Sequence, residues 1–397
     1  MLTMHNYSFI LSLFAASAVH GWNNQHPFSR RQFYQEVQTT AITAATLGLP
    51  QQAAVAQSTT NTAPLTSISL PPLGLGAWAW GDSLFWGYNP KNDAELQQVF
   101  DYAMTQSNNG IYTTTLFDTA ELYGLGRSEL LIGDFAKQYP PEQIQIATKF
   151  APLPWRTQPQ SVVQACQASV KRLGNRPIDL YQIHFPGAWS NAEYWDGLAM
   201  AYEQGLVKAV GVSNYGVDAL RACHAALAQR GIPLATNQIQ MSLLYRHPLE
   251  NGLAQACQDL GVQILSYSPL ALGMLTGKYT PERPPQGPRK LIFEKLKSTP
   301  DYDNLLRTMQ EIADGHVGAT PAQVALNWAR AKGTIPIPGA RTLQQVQSNY
   351  GALQWSLSEG EVKALDLVAA KVQTFNQPQD NPFPTVDKNT GLRMYDS

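Results

Sequence analysis

Neither sign of charge is in surplus, with 28 Lys and Arg opposing 29 Asp and Glu. A chain so balanced has no broad basic field for holding a phosphate backbone or an anionic bilayer, so no nucleic-acid partner is expected. Cysteine is scarce. Cys166, Cys223 and Cys257 are odd in number and far apart, which suits neither a disulfide framework nor a zinc site. They are read as buried helix residues without chemistry, and no metal is expected. Long apolar runs are also missing. The best candidate, residues 7–18 (YSFILSLFAASA), is too short to cross ~30 Å of hydrocarbon as a helix, so no integral membrane association is expected. Against these shortages, 44% of the residues are apolar and 14% charged, which excludes disorder throughout and provides for a large core.

Residues 7–18 end in the small triplet Ala16, Ser17, Ala18 and read as the apolar part of a signal peptide. The following stretch is rich in Asn, Gln, Ser and Thr, with Glu36 its one acidic residue. It carries paired Arg30 and Arg31, a mild apolar run over 41–49 and an Ala54-Val55-Ala56 exit, the parts of a second address. The arrangement resembles the multipart presequences of algae whose plastids are of secondary origin. Residues 1–60 are therefore expected to be a disordered, cleaved presequence leading to the plastid stroma or thylakoid lumen, with one domain over 61–397. A secreted protein with a disordered N-terminal spacer is the alternative.

From Leu73 onward, short β-branched runs alternate with longer amphipathic ones. The runs GLGAWAW, TTTLFD, IQIATKF, DLYQIHF, LVKAVGVSN, LATNQIQ, VQILSYS and TIPIPG are eight strand candidates. Helical stretches are predicted over 94–104, 128–135, 161–173, 193–203, 217–228, 249–259, 321–331 and 343–350. Runs such as VQILSYS lack clean alternation, as expected of parallel strands buried on both faces. Eight such repeats fit an α/β fold, a (β/α)8 TIM-type barrel, better than two domains. An open doubly wound sheet would place G-x-G-x-x-G after the first strand, but Ala79 stands where the third glycine belongs. Ser358, with Glu361 three positions on, marks an extra C-terminal helix over 358–371. The Pro-dense YTPERPPQGP after the seventh strand is read as a long loop, and the last twenty residues as folded over the barrel mouth or loose.

Barrel chemistry sits where strands end. Asp118 closes the second strand, Tyr123 follows in the next loop, Lys149 closes the third strand and His184 the fourth. Singly each has an ordinary structural explanation: a strand-end His is commonly a hydrogen-bonded structural residue, and an Asp before Thr a turn former. Together, on three consecutive strands, they can converge. A phenol that titrates near 10 gives up its proton at neutral pH only beside a cation. Lys149 is expected to be that cation, Asp118 to hold it charged, and neutral His184 to orient a carbonyl.

The segments GLGAW, FDTAELYG, ATKF, DLYQIHFPG, GLVKAVGVSN, SYSPLALGMLTGKY and IPIPGARTLQQVQSN, in this order over about residues 70–373, resemble the aldo-keto reductase superfamily. LPWR, HFPGAW and YWDGLAMAYEQGLVKAVGVSNYG look most like its plastid-directed plant branch. The resemblance implies a barrel that binds NADPH and reduces small-molecule carbonyl compounds, aldehydes and ketones. Tyr123 would be the general acid, Lys149 and Asp118 its tuning pair, and His184 the carbonyl-orienting residue. The resemblance also implies cofactor contacts at Gly76, Trp78, Ser213, Asn214, Gln238, Tyr267, Ser268, Leu270, Gly273, Leu275, Gly339, Arg341, Gln345 and Asn349. Of these, Ser213, Asn214 and Gln238 would bind the carboxamide, Tyr267 would stack on the nicotinamide and Arg341 would grip a 2′-phosphate. Structural alternatives stay open for three: Asn214 as a helix cap, Tyr267 as core, Arg341 as a solvated surface residue.

Trp78, Trp80, Trp86, Trp155 and Trp189 lie near the same strand ends. Trp80, Trp155 and Trp189 are expected to wall a substrate site, with packing under loops the competing explanation and Trp78 able to touch cofactor instead. Two departures from the family pattern stand out. The approach to Asp118 (GIYTTTLFD) is about three residues longer than usual, and a floor-closing N-terminal hairpin is short or missing. Two functions fit: a carbonyl reductase, with reactive aldehydes or a vitamin aldehyde such as pyridoxal as substrates, or a redox-sensing subunit of the channel β-subunit type with little turnover.

Overall fold

The computed structural model describes residues 68–83, 85–107, 114–287, 289–372 and 386–394. The expected presequence and residues 110–113 of the long approach to Asp118 lie outside the described residues. Eight strands, β1 (Gly74–Gly76), β2 (Thr115–Asp118), β3 (Ile144–Phe150), β4 (Ile178–Ile183), β5 (Val207–Ser213), β6 (Leu234–Gln240), β7 (Gln263–Tyr267) and β8 (Ile335–Ile337), pair in parallel in chain order. A parallel bridge between Gly76 and Gly339, with the Gly76 N–H donating to Pro338 O at 3.0 Å, joins last strand to first. This seam needs glycine: a Cβ on Gly74 would stand 2.7 Å from Ile337 Cγ2.

Inside the ring, Leu116, Ala147, Leu180, Ala209, Ala235, Leu265, Ile335 and Ile337 form a buried cluster. Three alanines leave room for the larger neighbours in the tapered interior, as barrel layers require. Ile68 and Leu70 pack against this cluster, and Gln145 Nε2 donates to Ser69 O at 2.8 Å. The segment before β1 therefore helps to close the floor.

Outside the ring lie α1 (Asp93–Ser107), α2 (Arg127–Phe135), α3 (Pro159–Arg172), α4 (Asn191–Glu203), α5 (Val217–Ala228), α6 (Leu253–Asp259), α7 (Arg289–Lys297), α8 (Pro300–Asp314), α9 (Pro321–Ala331), α10 (Leu343–Gly351) and α11 (Glu359–Ala369). Proline opens α3, α8 and α9, where its missing N–H costs no hydrogen bond. The Ser358–Glu361 capping box starts α11 as the sequence predicts. Two helices go beyond the sequence reading. α7 and α8 fill the β7–β8 connection, and α8 buries Tyr302, Leu305, Met309 and Ile312 at helical spacing. The predicted helix over 249–259 is broken, with a separate turn at His247–Glu250 and left-handed Gly252 before α6.

Residues 386–394 return to the barrel top as a strap. Asp387 is buried and accepts from Asn191 Nδ2, Lys388 N–H donates to Ala188 O, and Gly216 N–H donates to the carbonyl of fully buried Met394. The loops after β4 and β5 are thus held by the end of the chain.

Trp80 corrects a sequence expectation. Instead of facing a substrate, it is fully buried, Nε1 donates to Ala340 O at 2.8 Å, and its ring meets Phe117 of β2 and Phe135 of α2 with centroids 6.5 and 6.0 Å away. Trp80→Ala should cost about 3–5 kcal/mol of stability, read as a lower urea midpoint; a loss below about 1 kcal/mol would contradict this packing.

Candidate active site

The polar strand ends meet at the C-terminal mouth of the barrel. Lys149 has no exposed side-chain surface, and its three ammonium protons are all allocated. Nζ lies 2.6 Å from Asp118 Oδ1, 2.7 Å from Thr119 O and 3.4 Å from the Tyr123 hydroxyl oxygen. His184 follows β4 directly and its ring stands edge-on to Tyr123, 5.6 Å between centroids. All four residues expected from the sequence therefore come together.

Burial governs their protonation. It pulls Lys149 down from its ordinary value, opposed by the charge and hydrogen bond of Asp118. Burial, reinforced by the Lys149 charge, holds His184 well below the usual imidazole value, so the ring is neutral at pH 7. The Tyr123 phenol is pushed well above its ordinary value by burial and by the Asp118 charge. That is opposite to the expected acidification: in this state desolvation outweighs the neighbouring ammonium, and the phenol keeps its proton. The His184 Nδ1 atom is buried without a hydrogen-bond partner.

Asp118 uses its second oxygen for Gln238, whose Nε2 donates to Oδ2 at 2.7 Å. Beside it, Ser213 Oγ donates to Gln238 O at 2.8 Å, and Asn214 Nδ2 donates to Ser213 Oγ and to His184 O, each at 3.0 Å. The Tyr267 hydroxyl donates to Asn214 Oδ1 at 2.9 Å. Asn214 is left-handed and does not cap α5, whose N-cap is Gly216, so its capping alternative falls. Tyr267, partly buried at the end of β7, packs against the barrel-interior cluster while its hydroxyl reaches Asn214.

On one side of Tyr123 stands an aromatic wall. Trp78 stacks on Phe85 at 5.1 Å, meets Trp86 edge-on at 5.5 Å and lies 6.3 Å from Tyr123. Asp82 fixes this loop by accepting from Trp78 Nε1 and from the Phe85 N–H. Of the expected wall residues, Trp155 is 61% exposed on the loop after β3, and half-buried Trp189 sits under Lys388 of the strap. Phe85 went unnoticed in the sequence.

A second group of residues lies at the ends of β7 and β8. Ser268, Ala271, Leu272 and Gly273 take positive φ, turning the chain sharply after β7 with Ser268, Leu270 and Gly273 partly exposed. The Leu275 side chain lies fully buried in the apolar cluster that includes Tyr302 and Trp328, supporting this loop from beneath. Arg341 Nη1 donates to Trp86 O at 2.8 Å, its own N–H donates to Gln345 Oε1 at 2.8 Å, and Asn349 Nδ2 donates to Gly339 O. Arg289, missed by sequence reasoning, shares the Trp86 ring with Arg341, their guanidinium carbons 5.0 and 5.7 Å from its centroid. Arg341 is pulled below its ordinary value by burial and by the Arg289 charge, and Arg289 Nε and Trp86 Nε1 are buried without partners. Neither guanidinium group has an ion pair among the described residues, and Arg289 Nη1 donates to the Tyr279 hydroxyl oxygen at 2.8 Å.

Residues 72–370 match the aldo/keto reductase family. The chain is 43% identical over 319 residues to the chloroplastic pyridoxal reductase of Arabidopsis thaliana, covering 76% of this chain and 84% of that one. A probable aldo-keto reductase of Glycine max is 32% identical, covering 76% and 89%. Among solved structures, a thermostable aldo-keto reductase in complex with the inhibitor epalrestat superposes with a TM-score of 0.61 at 29% identity, over 78% of this chain and 98% of that one. With the parallel eight-stranded barrel and the grouping at its mouth, these matches establish that the chain belongs to the aldo/keto reductase family.

Proposed function

We propose that the protein reduces aldehydes or ketones to alcohols with NADPH, with Tyr123 as general acid. The observation that carries this reading is the contact of buried Lys149 with both Asp118 and Tyr123, beside neutral His184. When bound, NADPH supplies a hydride from C4 of its nicotinamide. Ser213, Asn214 and Gln238 would hold the carboxamide, Tyr267 would stack on the ring, and Gly76, Gly339 and the turn at Ser268, Leu270 and Gly273 would line the cofactor groove. Arg341, braced by Gln345 and Asn349 and joined by Arg289, would hold a 2′-phosphate.

A phenol that keeps its proton is a donor in waiting. Tyr123 O–H and the neutral His184 ring can both hydrogen-bond the carbonyl oxygen, stabilising charge that builds there, and Tyr123 then delivers the proton. Lys149 stabilises the resulting phenolate and is itself held by Asp118. The wall of Trp78, Phe85 and Trp86 suits a flat aromatic or heteroaromatic aldehyde, and the similarity to a pyridoxal reductase supports pyridoxal as the first substrate to test. We further propose a plastid location, supported by the presequence-like composition of residues 1–60 and by the chloroplastic relative.

Tyr123→Phe should lower kcat for aldehyde reduction by ~10²–10⁴ while NADPH affinity, measured by fluorescence titration, stays unchanged. Equal rates in both proteins would end the catalytic assignment. Because a raised phenol pKa keeps the donor protonated, the reduction rate should stay level through neutral pH and fall only as alkali removes the proton. Neutral His184 should add no inflection near ~6.5. Arg341→Ala should weaken NADPH binding by about ten- to a hundredfold and leave NADH binding nearly as it was; an unchanged affinity ratio would remove the 2′-phosphate role. A fluorescent protein fused behind residues 1–67 should enter plastids of an algal host, and secretion would refute that location.

A further inference from the structure

Family resemblance places Gln238 at the cofactor carboxamide, yet one of its two side-chain N–H groups is given to Asp118 Oδ2 at 2.7 Å, which leaves the other N–H and the carbonyl oxygen for a ligand. β2 and β6 stand four places apart in a ring of eight, so this bond spans the barrel rather than following the sheet. It is the sole hydrogen bond to that oxygen among the described residues. The Gln238 main chain is pinned by Ser213 Oγ and by the Asn214 N–H, at 2.8 and 2.9 Å, which fixes where the amide begins its reach.

Donor arithmetic gives the bond its importance. An ammonium has three N–H groups, and Lys149 shares them among Asp118 Oδ1, Thr119 O and Tyr123 Oη. The Tyr123 contact, at 3.4 Å, is the longest and therefore the first to be lost in competition. A carboxylate oxygen without a partner, buried beside an ammonium, would turn towards it and claim a second N–H.

We infer that Gln238 is a positioning residue for the proton donor: by occupying Asp118 Oδ2 it confines that carboxylate to one N–H of Lys149 and leaves another for Tyr123. This rests on Tyr123 being the donor. The groups facing Lys149 are Asp118 from β2, Tyr123 from the loop after it, Glu129 from α2 and His184 from the end of β4. Gln238 lies outside this set and acts on Lys149 only through Asp118.

Gln238→Met keeps the chain length and deletes the donor. In the cofactor-free protein, 13C NMR of the lysine Cε signals should show Lys149 titrating about one unit higher, because a carboxylate deprived of its other donor holds the ammonium proton harder. Under saturating NADPH, kcat should fall about tenfold, and Gln238→Glu, which can donate while protonated, should recover rate as the pH is lowered. An unmoved Lys149 titration in Gln238→Met overturns the inference. Should that variant fail to fold, the wild-type protein decides: one Gln238 side-chain amide proton should be shifted downfield and exchange slowly, and a rapidly exchanging pair overturns it equally. Loss of turnover in Tyr123→Phe together with an unmoved Lys149 titration would sink this inference alone, whereas full turnover in Tyr123→Phe would sink the donor reading beneath it.

Discussion

A buried ammonium is the constraint around which the mouth of this barrel is arranged. Lys149 has no exposed side-chain surface, and an isolated charge there would be driven to neutrality. Three oxygens answer it: a carboxylate, a main-chain carbonyl and a phenol, drawn from the end of β2 and the loop that follows. Placing the cation on β3 next to those acceptors therefore fixes the path of the β2 loop, and with it the position of Tyr123. The same burial that makes the ammonium costly also keeps the phenol protonated and the imidazole neutral. Desolvation thus sets the resting protonation state, with pairwise charges as corrections to it.

Around this centre the barrel separates two tasks. The loop after β1 carries the aromatic wall, and the connections after β7 and β8 carry the two guanidinium groups. Trp86 belongs to both, since its ring meets Trp78 as well as Arg289 and Arg341. The loop after β1 is also seated on the Tyr123 loop: a Cβ on Gly124 would fall 2.4 Å from Gly81 O, so glycine is required for the two backbones to approach. Wall, proton donor and guanidinium groups are consequently one mechanical unit.

The three polar strand ends, the loop tyrosine and the eightfold alternation were legible because parallel strands write themselves as apolar runs and because chemistry in such barrels gathers at one end of every strand. What lay beyond reach depended on direction and depth. Trp78 and Trp80 are two residues apart, yet one faces the mouth and the other is sealed against Phe117. Leu275 belongs to the core with Met274, although Ser268, Leu270 and Gly273 of the same turn are partly exposed. Phe85 and Arg289 matter through the folding of loops, which no periodicity encodes. α7 escaped notice because it buries little, only Phe293 and Leu296, and follows directly on a proline-dense run. The rise in the Tyr123 pKa was missed for a related reason, since residue types show which charges are near but not how much water is excluded. The bond from Gln238 to Asp118 joins positions 120 residues apart and needs coordinates to be seen.

The strap formed by residues 386–394 has a consequence for how the molecule matures. It follows all eight strands in synthesis order, yet it supplies buried Asp387 and Met394 to the loops behind His184 and Asn214. A nascent chain can therefore close its ring while those two loops still lack their last contacts. Competence for chemistry would then arrive as a separate, later event than assembly of the barrel, and a bulky fusion at the carboxyl terminus would interfere with that event first.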